Sequence, residues 1–202
     1  MKTIEIFSSI QGEGKFMGIP QVFIRLAGCN LSCSWCDTPQ SKGGGKEMSV
    51  ETVVSEVELL GIKSVCITGG EPLLQVDDVR KLVSKLKEKD FEIVLETNGT
   101  IYDEEVFKKV DCVSMDLKPP SSGEKSDESI LEKLKKKDQV KIVLADEEDY
   151  EFAKNVAGKF KKCEIIFQPV DGVDAGWIVE RAVKDKLKVR ITPQLHKIWG
   201  LE

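Results

Sequence analysis

The sequence predicts an α/β fold: a partial, open TIM-like (β/α) barrel of about six βα units, with a doubly wound sheet as the competing arrangement. Three observations carry this expectation. Short apolar runs alternate along the chain with longer amphipathic, charge-rich segments. The runs have the length and β-branched content of strands buried on both faces, as parallel sheets require. The 202 residues also fall short of the roughly 250 that a closed eight-unit barrel takes.

In chain order, the first run is QVFIRLAG (21–28), followed by a cysteine-rich loop and by PQSKGGGKEM (39–48), which reads as a flexible loop. SVETVVSEVELLG (49–61) has a helical pattern, with Ser49 as N-cap and Gly61 as stop. SVCITGG (64–70) is the second run, and QVDDVRKLVSKLKEK (75–89) then sets Val76, Val79, Leu82, Val83 and Leu86 on one helical face. EIVLETNG (92–99) and CVSMDLK (112–118) flank the helical segment DEEVFKKV (103–110). SDESILEKLKKK (126–137) reads as a further helix before QVKIVLA (139–145). DEEDYEFAKNVAGKF (146–160), CEIIFQPV (163–170), DAGWIVERAVKD (174–185) and LKVRITP (187–193) complete the alternation. Several helical segments open with acids, where the helix dipole favours them. Repeated βα units imply parallel strands with right-handed crossovers. With no internal repeat or long linker, residues 1–202 are expected to form a single domain.

A net charge of -5 and a pI near 5.2 argue against a general binder of nucleic acid or membrane surface. The start MKTIEIFSSIQGEG lacks the apolar run of a signal peptide, and no segment approaches the roughly 18 apolar residues of a membrane span. A soluble cytoplasmic protein is the expectation. There, clustered cysteines are more often metal ligands or redox groups than disulfides. Cys66, Cys112 and Cys163 lie within or beside apolar runs and read as small buried hydrophobes.

Polar motifs follow the runs: CNLSCSWCDT, TGGEP, ETNGT, DLKPPSSG and QPVDG. In a parallel α/β architecture these strand ends converge on one mouth. Cys29, Cys33 and Cys36 put three soft ligands on one loop with no fourth nearby. Structural zinc wants four tight ligands, and the lone histidine, His196, is far along the chain. A redox pair of Cys33 and Cys36 leaves Cys29 idle. An iron–sulfur cluster held by three thiolates leaves one iron open.

The spacing Cys-X3-Cys-X2-Cys, with Trp35 directly before the last cysteine, resembles the radical S-adenosylmethionine signature. That resemblance implies a [4Fe-4S] cluster on Cys29, Cys33 and Cys36. Its open iron is chelated by S-adenosylmethionine, which is cleaved on reduction to methionine and a 5′-deoxyadenosyl radical. Gly69, Gly70 and Glu71 of TGGEP, and Glu96 and Asn98 of ETNGT, are then expected against the cofactor.

The stretch IFSSIQGEGKFMGIPQVFIRLAGCNLSCSWCDT, with KPPSSG, QPVDG and PQLHKIWG later on, resembles the 7-carboxy-7-deazaguanine synthase family over essentially the whole chain. The resemblance implies a shortened barrel with a radical SAM core, usually a homodimer. It implies a lyase reaction in queuosine and archaeosine (7-deazapurine) biosynthesis: 6-carboxy-5,6,7,8-tetrahydropterin contracts to 7-carboxy-7-deazaguanine with loss of ammonia. Magnesium assists, and an electron donor such as flavodoxin or ferredoxin is expected. Carried over by position, Ile10, Gln11, Gly12, Glu13, Arg25, Thr68 and His196 contact substrate, and Thr38 contacts magnesium. Asp116, Leu117, Lys118, Gln168, Pro169, Val170 and Asp171 join the cofactor residues. Asp116 and Leu117 depart from the Ser-Pro-Lys of many relatives, and the tail runs on past His196 to Glu202. Two competing readings are an activase that installs a glycyl radical on a partner protein, and a non-catalytic iron–sulfur or zinc module.

Overall fold

The computed structural model describes residues 1–201; Glu202 lies outside the described residues. The strands are β1 (Lys2–Ile10), β2 (Pro20–Leu26), β3 (Lys46–Glu47), β4 (Ser64–Gly69), β5 (Glu92–Thr97), β6 (Cys112–Asp116), β7 (Gln139–Leu144), β8 (Glu164–Pro169) and β9 (Arg190–Ile191). The helices are α1 (Val50–Leu59), α2 (Val76–Glu88), α3 (Glu104–Lys109), α4 (Glu147–Lys159), α5 (Gly176–Lys184) and α6 (Leu195–Trp199). All seven apolar runs are strands of one open nine-stranded sheet, ordered β3-β1-β2-β4-β5-β6-β7-β8-β9 and not closed into a barrel. From β2 through β4 to β9 every pairing is parallel, and β1 and β3 add an antiparallel edge.

Local chemistry sets the helix ends. The Ser49 side chain accepts from the Thr52 N–H and so caps α1, and Gly61, at φ +72°, follows its end. Asp103 and Asp146 cap α3 and α4 in the same way. Helix α2 buries Val79, Leu82, Val83 and Leu86, while Val76 is only partly buried. Each buried side chain of this kind contributes roughly 1.5–3 kcal/mol.

Helices α1 to α5 pack their apolar side chains into one core with one face of the sheet. That face carries Val22, Ile24 and Leu26 of β2, Val65 and Ile67 of β4, and Ile93 and Leu95 of β5. Met115, Ile142 and Phe167 continue it across β6, β7 and β8. Because side chains alternate along a strand, the intervening residues face the other way, and many are polar: Arg25, Thr68, Glu96, Asp116, Lys141 and Gln168.

The structure corrects several expectations. Strands β4 to β8 are buried on both faces as expected, but the face away from the helices mixes apolar residues such as Val94 and Ile166 with the polar ones that surround a cavity. Segment 126–137 is not an α-helix but a 3-10 turn over Glu128–Lys133, ended by extended backbone at Leu134. The 39–48 loop contains a 3-10 turn (Pro39–Lys42) and β3. Strand β1 was not expected. Its half-buried edge position gives no continuous apolar run. No helix of the described residues is long and apolar enough to cross a membrane.

Candidate active site

The C-terminal ends of β2, β4, β5 and β6 open onto a cavity of about 210 Å³. Cys29, Cys33 and Cys36 line it together with Ile10, Gln11, Gly12, Arg25, Thr38 and Thr68. Gly69, Gly70, Glu96, Asn98, Asp116, Lys118 and His196 complete the expected residues found there. Residues from five motifs, four of them at strand ends, and from the tail therefore meet in one place.

The cysteine loop is held from below by the TGGEP turn. The Gly70 N–H donates to the Leu26 carbonyl (3.2 Å) and the Glu71 N–H to the Gly28 carbonyl (2.8 Å). At Gly69, φ is +138° and a Cβ would collide with the Leu26 carbonyl. A Cβ on Gly70 would collide with Gly28 and crowd Cys29. The two glycines thus permit backbone-to-backbone approach beside the first cysteine.

Glu71 does not line the cavity. Its fully buried carboxylate accepts from the Leu73 N–H (2.9 Å), the Thr97 hydroxyl (2.9 Å) and the Asn98 N–H (2.7 Å), tying the β4 turn to the end of β5. Burial pushes this carboxyl above its ordinary value. Asn98 in turn donates to Asn30 (2.9 Å) inside the cysteine loop. Glu71 therefore acts behind the wall and not at the cofactor face expected for it. Leu117 and Pro169 are also buried behind the cavity, and neither they nor Val170 and Asp171 line it.

At the substrate end the key group is Glu13. One carboxylate oxygen pairs with Lys141, and the other accepts from Gln168 (2.8 Å) and Gln194 (3.0 Å). Burial works to raise this carboxyl, but the Lys141 charge and the hydrogen bonds from Gln194 and Lys141 outweigh it and hold it near about 2. Three of roughly four acceptor positions are thereby filled, leaving one free. Lys141 lies 3.5 Å from Glu96 as well. Burial works against its ammonium, yet Glu13, Glu96 and Asp116 raise it well above its usual value. Burial likewise pushes Glu96 up.

Arg25 donates from Nε to Glu5 (2.6 Å), its cross-strand partner on β1, and lies over the Phe7 ring at 5.5 Å. Its two terminal amino groups have no acceptor among the described residues. Gln11 is buried, donates to Gln21 (3.2 Å) and accepts from the Glu13 N–H (3.2 Å). The His196 ring rests on Gly12, where a Cβ would collide with it, and the Leu195 N–H donates to the Gly12 carbonyl (2.9 Å).

Sequence reasoning missed Lys141, Gln194 and Cys66, the last a cavity-lining thiol that receives Gln11 at 3.7 Å. A charged residue at the centre of the run QVKIVLA was the available signal for Lys141.

The donor set suits a cluster better than a single ion. The three loop cysteines are free and half-buried, and their sulfurs are not all within 4.8 Å of one another. Tetrahedral zinc would draw them to about 3.8 Å. Among the described residues the only trio of possible ligands gathered that closely is Glu13, Asp37 and His196. The buried Asp116 Oδ1 and Gln168 Oε1 have no partner, and Asp116 lines the cavity ready for a ligand donor.

Comparison with known proteins agrees with this geometry. Residues 23–144 match the model of the radical SAM superfamily. The 7-carboxy-7-deazaguanine synthase of Methanospirillum hungatei is 45% identical over all of this chain and 86% of its own length. That of Thermoplasma acidophilum is 39% identical over 98% of this chain and 96% of its own. The crystal structure of QueE from Escherichia coli superposes with a TM-score of 0.76 at 26% identity, covering 96% of this chain and 94% of that one. The chain belongs to the radical SAM superfamily and, within it, to the 7-carboxy-7-deazaguanine synthase family.

Proposed function

We propose that the chain, working as a single domain, contracts 6-carboxy-5,6,7,8-tetrahydropterin to 7-carboxy-7-deazaguanine and ammonia in the cavity between Glu13 and the cysteine loop. The observation that carries the reading is the placement of Gln11 and Arg25 on the same cavity as three free thiols, with Glu13 beside it, within 4.8 Å of the lining residues Asp37 and His196. Cys29, Cys33 and Cys36 would hold a [4Fe-4S] cluster, which with S-adenosylmethionine supplies a hydrogen-abstracting radical.

The chain's own groups position the substrate. Glu13 keeps one acceptor position for an N–H of the pterin edge while Lys141, Gln168 and Gln194 fix its other lone pairs. Arg25, anchored to Glu5 through Nε, offers its free amino groups to the substrate carboxylate. Thr68 lies beside Arg25 in register on β4, and His196 closes the opposite side against Gly12. Gly69, Gly70, Glu96, Asn98, Asp116 and Lys118 form the S-adenosylmethionine side, with the unpartnered Asp116 oxygen available to its hydroxyl or ammonium donors. Thr38 offers a hard oxygen to magnesium beside the substrate. A flavodoxin or ferredoxin is the proposed electron donor, the cytoplasm the proposed compartment and a homodimer the proposed assembly.

The test is anaerobic reconstitution with iron and sulfide, then incubation with the pterin, S-adenosylmethionine, dithionite and magnesium. Mass spectrometry should find 7-carboxy-7-deazaguanine, and chelating magnesium should lower its yield. Accumulation of 5′-deoxyadenosine with no deazaguanine would sink the reading in favour of an activase.

A further inference from the structure

The KPPSSG motif takes no direct part in that chemistry beyond Lys118, yet the structure sets it against the outer side of the cysteine loop. The Ser34 N–H donates to the Ser122 carbonyl (3.0 Å), and the Ser34 hydroxyl donates to the Ser121 carbonyl (2.6 Å). The Ser32 N–H donates to Glu124 (2.6 Å). The Trp35 indole N–H donates to the Ser121 hydroxyl oxygen (3.1 Å). Between Cys29 and Cys36, then, every residue from 32 to 35 except Cys33 itself is bound to this second loop.

What holds the second loop is Asp149. It is fully buried in the first turn of α4, and no Lys or Arg pairs with it. Its carboxylate accepts from the Ser121 N–H (2.9 Å), the Ser121 hydroxyl (2.5 Å) and the Ala145 N–H (2.8 Å). Burying a carboxylate without a countercharge costs several kcal/mol unless its lone pairs are filled. Here neutral donors and the helix N-terminus supply the compensation.

The carboxylate also sets the direction of the chain of hydrogen bonds. It can only accept, so the single Ser121 hydroxyl proton points to it, and the hydroxyl lone pairs turn toward Trp35.

We propose that Asp149 is a positioning residue for the cluster-binding loop: acting through Ser121, it makes residues 118–124 a clasp that fixes Trp35 and the backbone between Cys33 and Cys36. The inference rests on the reading of those thiols as cluster ligands, but its first measurement does not need the cluster.

In cluster-free protein, amide hydrogen exchange of residues 32–36 should speed up roughly tenfold in Asp149→Asn and in Ser121→Ala, as expected for losing one charge-assisted hydrogen bond or its relay. Exchange of the β4 amides should stay as in the wild type. In reconstituted protein, release of iron to a chelator should accelerate by a similar factor in both variants. Asp103→Ala, which removes the cap of the remote helix α3, serves as the control for general loosening.

Unchanged exchange at 32–36 in Ser121→Ala would overturn the proposal. So would equal acceleration of iron release by Asp103→Ala. If Asp149→Asn does not fold, Ser121→Ala decides alone, because it removes a hydroxyl and leaves the buried acid its two N–H donors. Loss of product with the clasp intact would instead count against the functional reading.

Discussion

Along β4, Val65 and Ile67 pack under the helices while Ser64, Cys66 and Thr68 face the opposite side. On β2, Ile24 is core and Arg25 lines the cavity. On β7, Ile142 is core and Lys141 lines the cavity. The same strands thus present an apolar face that carries folding energy and a polar face that carries chemistry. One residue of register separates them. Stability and activity should accordingly respond to different substitutions on neighbouring positions, and four experiments press on that separation.

The largest effect belongs to the cysteine loop. Cys33→Ala should abolish deazaguanine formation, while the unfolding free energy of cluster-free protein moves by less than about 0.5 kcal/mol. Urea melts and product assays on one preparation check both halves. A large loss of stability would mean that the polar side carries folding energy too.

The converse substitution is Leu95→Ala, on the helix side of β5. It should cost about 2–5 kcal/mol, with KM and kcat of the remaining folded protein close to wild type. A change in KM would show that the core face reaches the pocket.

Smaller and more local is Arg25→Gln, expected to raise KM for the pterin by roughly ten- to a hundred-fold, the worth of a charge-assisted pair. Glu5→Gln should leave KM within a few-fold, because it removes only the anchor. Equal effects from both would reduce Arg25 to half of a β1–β2 ion pair.

The mildest probe is pH. The Glu13 carboxyl is held near about 2, below its ordinary 4.5, so its contribution to stability is present above pH 4.5. That contribution is lost as pH falls from there toward about 2. In Glu13→Gln this part of the acid-unfolding curve should flatten.

Much of this arrangement was legible in the chain. The seven runs became strands within a few residues of their expected limits, because parallel strands under helices must be apolar on at least one side. The three cysteines stood out as a strand-end motif, and the family resemblance supplied Gln11, Arg25, Thr38 and Thr68; all of them line the cavity. What escaped was set by distant partners. Lys141 looked like an interruption of an apolar run, yet it pairs with Glu13 from the far end of the chain order. Glu71 looked like a cofactor contact until its three donors placed it behind the wall. The segment 126–137 has helical periodicity, but it forms only a 3-10 turn over Glu128–Lys133, ended by extended backbone at Leu134.

The fastening of Leu195 and His196 to Gly12 has a consequence for synthesis on the ribosome. The pocket uses residues about 180 positions apart, so its substrate end stays unfinished while nearly all of the chain is made. At about 5–20 residues per second this is an interval of roughly ten to forty seconds. From residue 70 onward the cysteine loop and its β4 support have been made, so for most of that interval the metal-binding half exists while the half that admits the pterin is still incomplete.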